Sequence, residues 1–124
     1  MRTEKVMYFT EKEEEFANLL TAIGTKKNVA AVMVFLANTP EATSRAIERG
    51  TDMRQPEVSL AMKYLTEQGW ITARDSKVES KGRPTKIYKL AKPISEILKS
   101  IEKEKKAEAD AQLERVKKLR EYIS

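Results

Sequence analysis

The sequence predicts a mainly α-helical fold carrying one small β-hairpin, an α+β arrangement, and three observations lead there. Helix signatures follow one another closely from Thr10 to Gln68. After Gly69 the hydrophobic period drops from about 3.6 residues to about two. A proline-led helical segment then occupies the rest of the chain from Pro93.

The first helix is expected from Thr10 to Ile23. Thr10-Glu11-Lys12-Glu13 has the form of a capping box, in which the Thr10 side chain and the Glu13 side chain each accept from the other's backbone N–H. Glu11, Glu13, Glu14 and Glu15 sit where the helix dipole favours negative charge. Phe16, Leu19, Leu20 and Ile23 follow at helical spacing, and Gly24 marks a stop. Phe9 suits a hydrophobic staple before this helix, while Tyr8 and Phe9 also suit contact with a partner subunit. The second helix spans Lys26 to Ala37. Val29, Ala30, Val32, Met33, Val34, Phe35 and Leu36 make it apolar almost all round, as a central core helix must be. Pro40 ends it, because proline disfavours helical geometry in the residue before it.

A short third helix follows from Ser44 to Arg49, with Thr43 as its N-cap and Gly50 as its C-terminal stop. Thr51 to Arg54 form a polar connection. Pro56 fits the first position of a fourth helix, which runs to Gln68 and stops at Gly69. Its core face is Val58, Ala61, Met62 and Leu65. Trp70–Arg74 and Lys86–Leu90 pattern as two strands, joined by the turn-rich, cationic stretch Ser80-Lys81-Gly82-Arg83-Pro84. Trp70, Tyr64 and Tyr88 are expected as packing residues. The last helix, from Pro93, carries one apolar cluster at Ile94, Ile97, Leu98 and Ile101 and another at Leu113, Val116, Leu119 and Ile123, with a charged stretch between them. Two regions are therefore expected: residues 1–92, with their core motif at 43–90, and residues 93–124.

Composition removes several function classes. The chain has no cysteine and no histidine. Disulfides, thiolate nucleophiles, Cys/His metal sites and histidine-based triads are thereby excluded. The acidic residues lie in surface-like helical runs, so no enzyme activity, metal or cofactor is expected. No apolar run approaches the ~20 residues of a membrane span and Met1–Thr10 lacks a secretion signal, which leaves a cytoplasmic location as the default. The net charge is +5, and its placement is uneven. Residues 54–92 hold 9 basic and 4 acidic groups, against 7 and 8 in residues 1–53 and 8 and 7 in residues 93–124. A localised basic stretch is an electrostatic footprint for a polyanion, although solvated lysines that keep a protein soluble leave the same trace.

Helix, helix, short helix, turn, helix and hairpin, in that order, describe a winged helix-turn-helix. Residues 43–90 resemble the DNA-binding module of bacterial and archaeal regulators of the MarR and TrmB-like group. The matching stretches are Thr43-Ser44-Arg45-Ala46-Ile47, Arg54-Gln55-Pro56-Glu57-Val58-Ser59, Tyr64-Leu65-Thr66-Glu67-Gln68-Gly69-Trp70-Ile71 and Lys81-Gly82-Arg83-Pro84. The resemblance implies a transcriptional regulator that binds double-stranded DNA, with residues 55–68 as recognition helix in the major groove and residues 71–90 as wing at the minor groove.

The residues themselves suit those roles. A recognition helix presents its N-terminal residues to base edges, and here the outward ones are Arg54, Gln55, Pro56, Glu57, Ser59 and Lys63. Gln55, Ser59 and Lys63 share one stripe at i, i+4, i+8. Glutamine can pair with adenine, arginine with guanine and serine with several partners, while Lys63 is placed to reach a phosphate. The same stripe would also serve as the plain solvent face of an amphipathic helix. At the hairpin tip, Lys81 and Arg83 carry charge that could enter a narrow minor groove, with Lys77 and Lys86 on phosphates. A charged tip also protects an edge hairpin from aggregation. The N–H groups at Thr43, Ser44 and Arg45 could bind a phosphate, and capping alone accounts for Thr43 equally well.

The apolar clusters of the last helix require a partner. Regulators of the resembled group dimerise through helices outside the winged module, so Ile94, Ile97, Leu98, Ile101, Leu113, Val116, Leu119 and Ile123 are expected at a homodimer interface. Two modules about a two-fold axis would read two half-sites ~34 Å apart or a multiple of that. A small-molecule effector is compatible with this plan, but no motif marks a pocket. The alternative is a winged helix that binds protein without sequence-specific DNA contact.

Overall fold

The computed structural model describes residues 10–76 and 85–124. Helix α1 (Glu11–Ala22) opens on the reciprocal cap that the sequence predicts. Thr10 Oγ1 accepts from the Glu13 N–H at 3.1 Å, and Glu13 Oε1 accepts from the Thr10 N–H at 2.9 Å. Helix α2 (Lys27–Asn38) is the central element. Its Val32, Met33 and Val34 are each 0% exposed. Consecutive helical residues point about 100° apart, so three in a row can be covered only when neighbours close in on most sides. Those neighbours are α1, helix α3 (Ser44–Thr51) and helix α4 (Gln55–Glu67). Ile47 from α3 and Val58, Ala61, Met62 and Leu65 from α4 complete the core around it.

Helix α3 departs from expectation at its C-terminus. Gly50 lies within the helix and is buried, and the chain leaves the helix two residues later through Asp52, which adopts the left-handed conformation at φ 58° and ψ 39°. Gly50 serves packing instead. A Cβ at this position would run into the ring of Phe35 on α2, so the missing side chain lets the two helices approach. Helix α4 starts at Gln55 with Pro56 in its first turn. It stops as predicted, where Gly69 takes φ 78°.

The sheet is larger than the sequence pattern indicates. Strands β2 (Ile71–Asp75) and β3 (Lys86–Leu90) form the expected antiparallel pair, from Ile71 opposite Leu90 to Asp75 opposite Lys86. A two-residue strand β1 (Ala42–Thr43) adds to the other side of β3, Ala42 opposite Tyr88 and Thr43 opposite Ile87, giving the order β1-β3-β2. Trp70, expected to open the strand, lies just before it and is buried at 6% exposure. Its N–H donates to the Leu65 carbonyl at 3.0 Å, and its own carbonyl accepts from the Ala91 N–H at 2.7 Å. These two backbone bonds tie the end of α4 to the base of the hairpin, and the buried indole meets the Tyr64 ring edge-on at 6.3 Å.

Residues Met1–Lys92 form one unit and Pro93–Ser124 a second. The second is helix α5 (Ile94–Ile123), 30 residues long. Among the described residues no helix is long and apolar enough to cross a membrane.

Candidate nucleic-acid interface

Thr43 is the hinge of the site. It is the last residue of β1 and also the N-cap of α3, where its Oγ1 accepts from the Ala46 N–H at 3.2 Å. Its pairing with Ile87 fixes the start of α3 against the wing strand β3. Ser44 follows half-buried, and Arg45 points into solvent.

Two concavities meet at this corner. One, of 450 Å³, is lined by Ser44 from α3, by Val58, Ser59, Met62, Lys63, Thr66 and Glu67 from α4, and by Tyr88 from β3. The other, of 670 Å³, is lined by Thr43, Ser44 and Arg45 together with Thr85, Lys86 and Tyr88. Ser44 and Tyr88 line both. The result is one continuous concave face running from the exposed side of α4, past the N-terminus of α3, to the wing. Lys63, Arg45 and Lys86 stand along it, and Glu67 is the acidic residue of its lining. The start of α3, the positive end of its dipole, lines the same region through Thr43, Ser44 and Arg45, with the Ala46 N–H already taken by Thr43 Oγ1.

On α4, Gln55, Pro56, Ser59 and Lys63 are all exposed. The Gln55 Nε2 donates to Ser59 Oγ at 2.8 Å, so the two polar side chains of the stripe are coupled. Glu57 and Arg54, expected beside them, have a structural task as well. The Glu57 carboxylate accepts from the Arg54 N–H at 3.0 Å and holds the first turn, while the Glu57 carbonyl accepts from Asn28 Nδ2 at 3.0 Å. That second bond pins the start of α4 to the start of α2.

Among the described residues, the wing strands carry two ion pairs near the end of the ladder away from Trp70. Arg74 Nη2 lies 2.7 Å from Glu41 Oε1, and Lys86 Nζ lies 3.7 Å from Asp75 Oδ1, its opposite neighbour in the ladder. All four side chains are largely exposed, so each pair contributes about 0–1 kcal/mol at most, and Lys86 can exchange its carboxylate for a phosphate at little cost. The predicted contacts Lys77, Lys81 and Arg83 lie outside the described residues, as do Tyr8 and Phe9.

Sequence reasoning missed Tyr88, Thr85 and Thr66 as members of this face. Tyr88 was expected to pack, and only the register of β3 against β1 reveals that it joins the two concavities. Leu60 also went unassigned, and it stands 65% exposed on α4.

The predicted dimer residues behave unequally along α5. Ile97 and Ile101 are buried and Ile94 and Leu98 half-buried, whereas Leu113, Val116, Leu119 and Ile123 are 66%, 50%, 67% and 85% exposed.

No family model and no curated protein matches the chain. Solved structures do. A protein described as a possible transcriptional regulator from Methanosarcina mazei Go1 superposes with a TM-score of 0.65 at 20% identity, over 81% of this chain and 83% of that one. NadR in complex with 4-hydroxyphenylacetate gives 0.53 at 14% identity, over 94% and 85%. A MarR family regulator from Neisseria meningitidis gives 0.50 at 19% identity, over 87% and 84%. At such identities the likeness is one of architecture alone: the chain has a winged-helix fold that it shares with these proteins.

Proposed function

We propose that the protein is a homodimeric transcriptional regulator that binds double-stranded DNA sequence-specifically, with α4 in the major groove and the wing beside the adjacent minor groove. The observation that carries this reading is the shared concave face, on which Ser59 and Lys63 of α4, Ser44 and Arg45 of α3 and Lys86 of β3 stand together. A phosphate backbone crossing that face would meet the three cations and the N-terminal N–H groups of α3. The coupled Gln55 and Ser59, with Arg54, reach toward base edges. Lys77, Lys81 and Arg83 are proposed as wing contacts on the sequence alone. The exposed stripe of Leu113, Val116, Leu119 and Ile123 is proposed as the seam between two copies.

The test is a fluorescence-anisotropy titration of the protein into random-sequence duplex at ~50 mM salt, followed by selection of bound duplexes from a random pool. Binding that weakens with salt, and a selected consensus with two-fold symmetry, are the expected results. No binding at ~50 mM salt, where counterion release favours it most, would overturn the reading in favour of a protein-binding winged helix.

A further inference from the structure

We propose that Leu60 is a specificity-determining residue that reads the C5-methyl group of a thymine in the major groove. The inference rests on the DNA reading of α4 and adds to it a base, an atom and a side chain. Leu60 is 65% exposed, although it belongs to a helix whose other large aliphatic residues, Val58, Met62 and Leu65, are buried. At about 100° per residue, Leu60 points roughly 150° from the mean direction of the core residues Val58, Ala61, Met62 and Leu65. Lys63 lies a similar angle to the other side, and the exposed Pro56 lies between the two, one turn earlier. These three residues, with the exposed Glu67 one turn beyond Lys63, form the crest of α4, the part that enters deepest when this helix faces a duplex.

The surroundings select the partner. Along the crest Leu60 adjoins Lys63, which lines the concave face together with Ser59, and Ser59 holds Gln55 at 2.8 Å. Leu60 has the exposed Pro56 and the 39% exposed Tyr64 as its neighbours at i−4 and i+4, with Glu57 and Lys63 at i−3 and i+3. Its side chain matches one apolar feature on the floor of the major groove, the thymine methyl. Gln55 and Ser59 would read hydrogen-bonding edges, and Leu60 would read the methyl group of a base pair next to them.

The experiment uses the full chain and a duplex selected by the wild type from a random pool. Each thymine of the selected site is replaced singly by deoxyuridine, which removes only the methyl, and wild type, Leu60→Ala and Leu60→Met are titrated against each duplex. At one thymine per half-site the wild type is expected to lose about fourfold in affinity, the factor associated with burial of one methyl group. Leu60→Ala is expected to bind the thymine and uracil duplexes equally, and Leu60→Met to keep most of the discrimination. Circular dichroism of Leu60→Ala should match the wild type, since the side chain is exposed. Tight binding with no thymine position sensitive to the methyl, or sensitivity that survives unchanged in Leu60→Ala, overturns this inference alone. Failure of the wild type to bind any duplex overturns the DNA reading, and this inference with it.

Discussion

The Gln55 Nε2 donates to Ser59 Oγ at 2.8 Å across one turn of α4, on the exposed side of the helix. The bond removes rotamer freedom from a glutamine that would otherwise have to be ordered on contact with a base. It leaves the amide oxygen and a second N–H for that base, and it leaves the serine hydroxyl proton available. Ser59→Ala should therefore relax sequence preference at the same base as Gln55→Ala, and the double variant should lose less than the two single losses combined. Each single loss is expected at about 1–3 kcal/mol on a selected duplex. Folding stability should stay within about 0.5 kcal/mol, because both residues are exposed. A double-mutant cycle by anisotropy measures the coupling, and strict additivity would show that the two act separately.

Gly50 and Phe35 make a second pair, this one inside the module. The α2 ring occupies the space where a Gly50 side chain would stand. Gly50→Ala should destabilise the fold by about 1–3 kcal/mol, as overpacking does, despite alanine's better helix propensity. In the background of Phe35→Leu the same substitution should cost measurably less, since the aromatic edge is gone. Urea unfolding of the four proteins provides the comparison, and an equal cost in both backgrounds would remove Phe35 from the explanation.

That pair also marks where the sequence stops being legible. Gly50 reads locally as a helix stop, and its actual reason sits on a different helix, where no local pattern points to it. Strand β1 was missed for a similar cause: two residues, Ala42 and Thr43, have no period of their own and become a strand only against Tyr88 and Ile87. The features that were legible are local ones. The Thr10–Glu13 box, the stop at Gly69 and the all-round apolar α2 each follow from residues within a turn or two of one another. The candidate site divides in the same way. The Gln55–Ser59–Lys63 stripe follows from helical spacing, while the joining of α4 to the N-terminus of α3 through Tyr88 needs the register of the sheet.

The exit from α3 gives a prediction of the opposite sign. Asp52 holds φ 58°, a conformation that strains a residue with a Cβ. Asp52→Gly should raise stability by about 0.5–1 kcal/mol, since the strain relieved outweighs the added freedom of the unfolded chain. At the other end of the same helix, Thr43→Ala should lower stability by about 1 kcal/mol through loss of the bond to the Ala46 N–H. Thermal unfolding followed by circular dichroism measures both changes. A fall in stability for Asp52→Gly would mean that the aspartate side chain contributes more than its backbone costs.

Lys63 lines the concave face, and its proposed role there is electrostatic. Lys63→Ala should weaken binding to selected and random duplexes by the same factor. It should also reduce the slope of log K against log salt by about 0.9, the contribution of one neutralised phosphate. Lys118 on α5 provides the control: its removal changes net charge equally, and it is not among the residues that line that face. Anisotropy titrations across a salt series give the slopes. An unchanged slope for Lys63→Ala, or an equal change for both variants, would place the phosphate elsewhere.

The far half of α5 carries Leu113, Val116, Leu119 and Ile123, all half or more exposed. On a helix of 3.6 residues per turn these four fall within an arc of about 120°, so they form one stripe and not a scatter. A stripe of that width on a water-exposed helix is costly unless something covers it, and a second copy of the same stripe is self-complementary about a two-fold axis. Leu119→Asp places a charge in the middle of the stripe, where a paired seam would have to desolvate it. The expected outcome in sedimentation equilibrium is a shift from dimer to monomer, by about tenfold or more in the dimer dissociation constant, for a desolvation cost of at least 1.4 kcal/mol. Affinity for a two-half-site duplex should fall with it, while affinity for a single half-site should hold, because the seam supplies only the coupling between two modules. A protein that stays dimeric after the substitution would move the subunit contact to another surface.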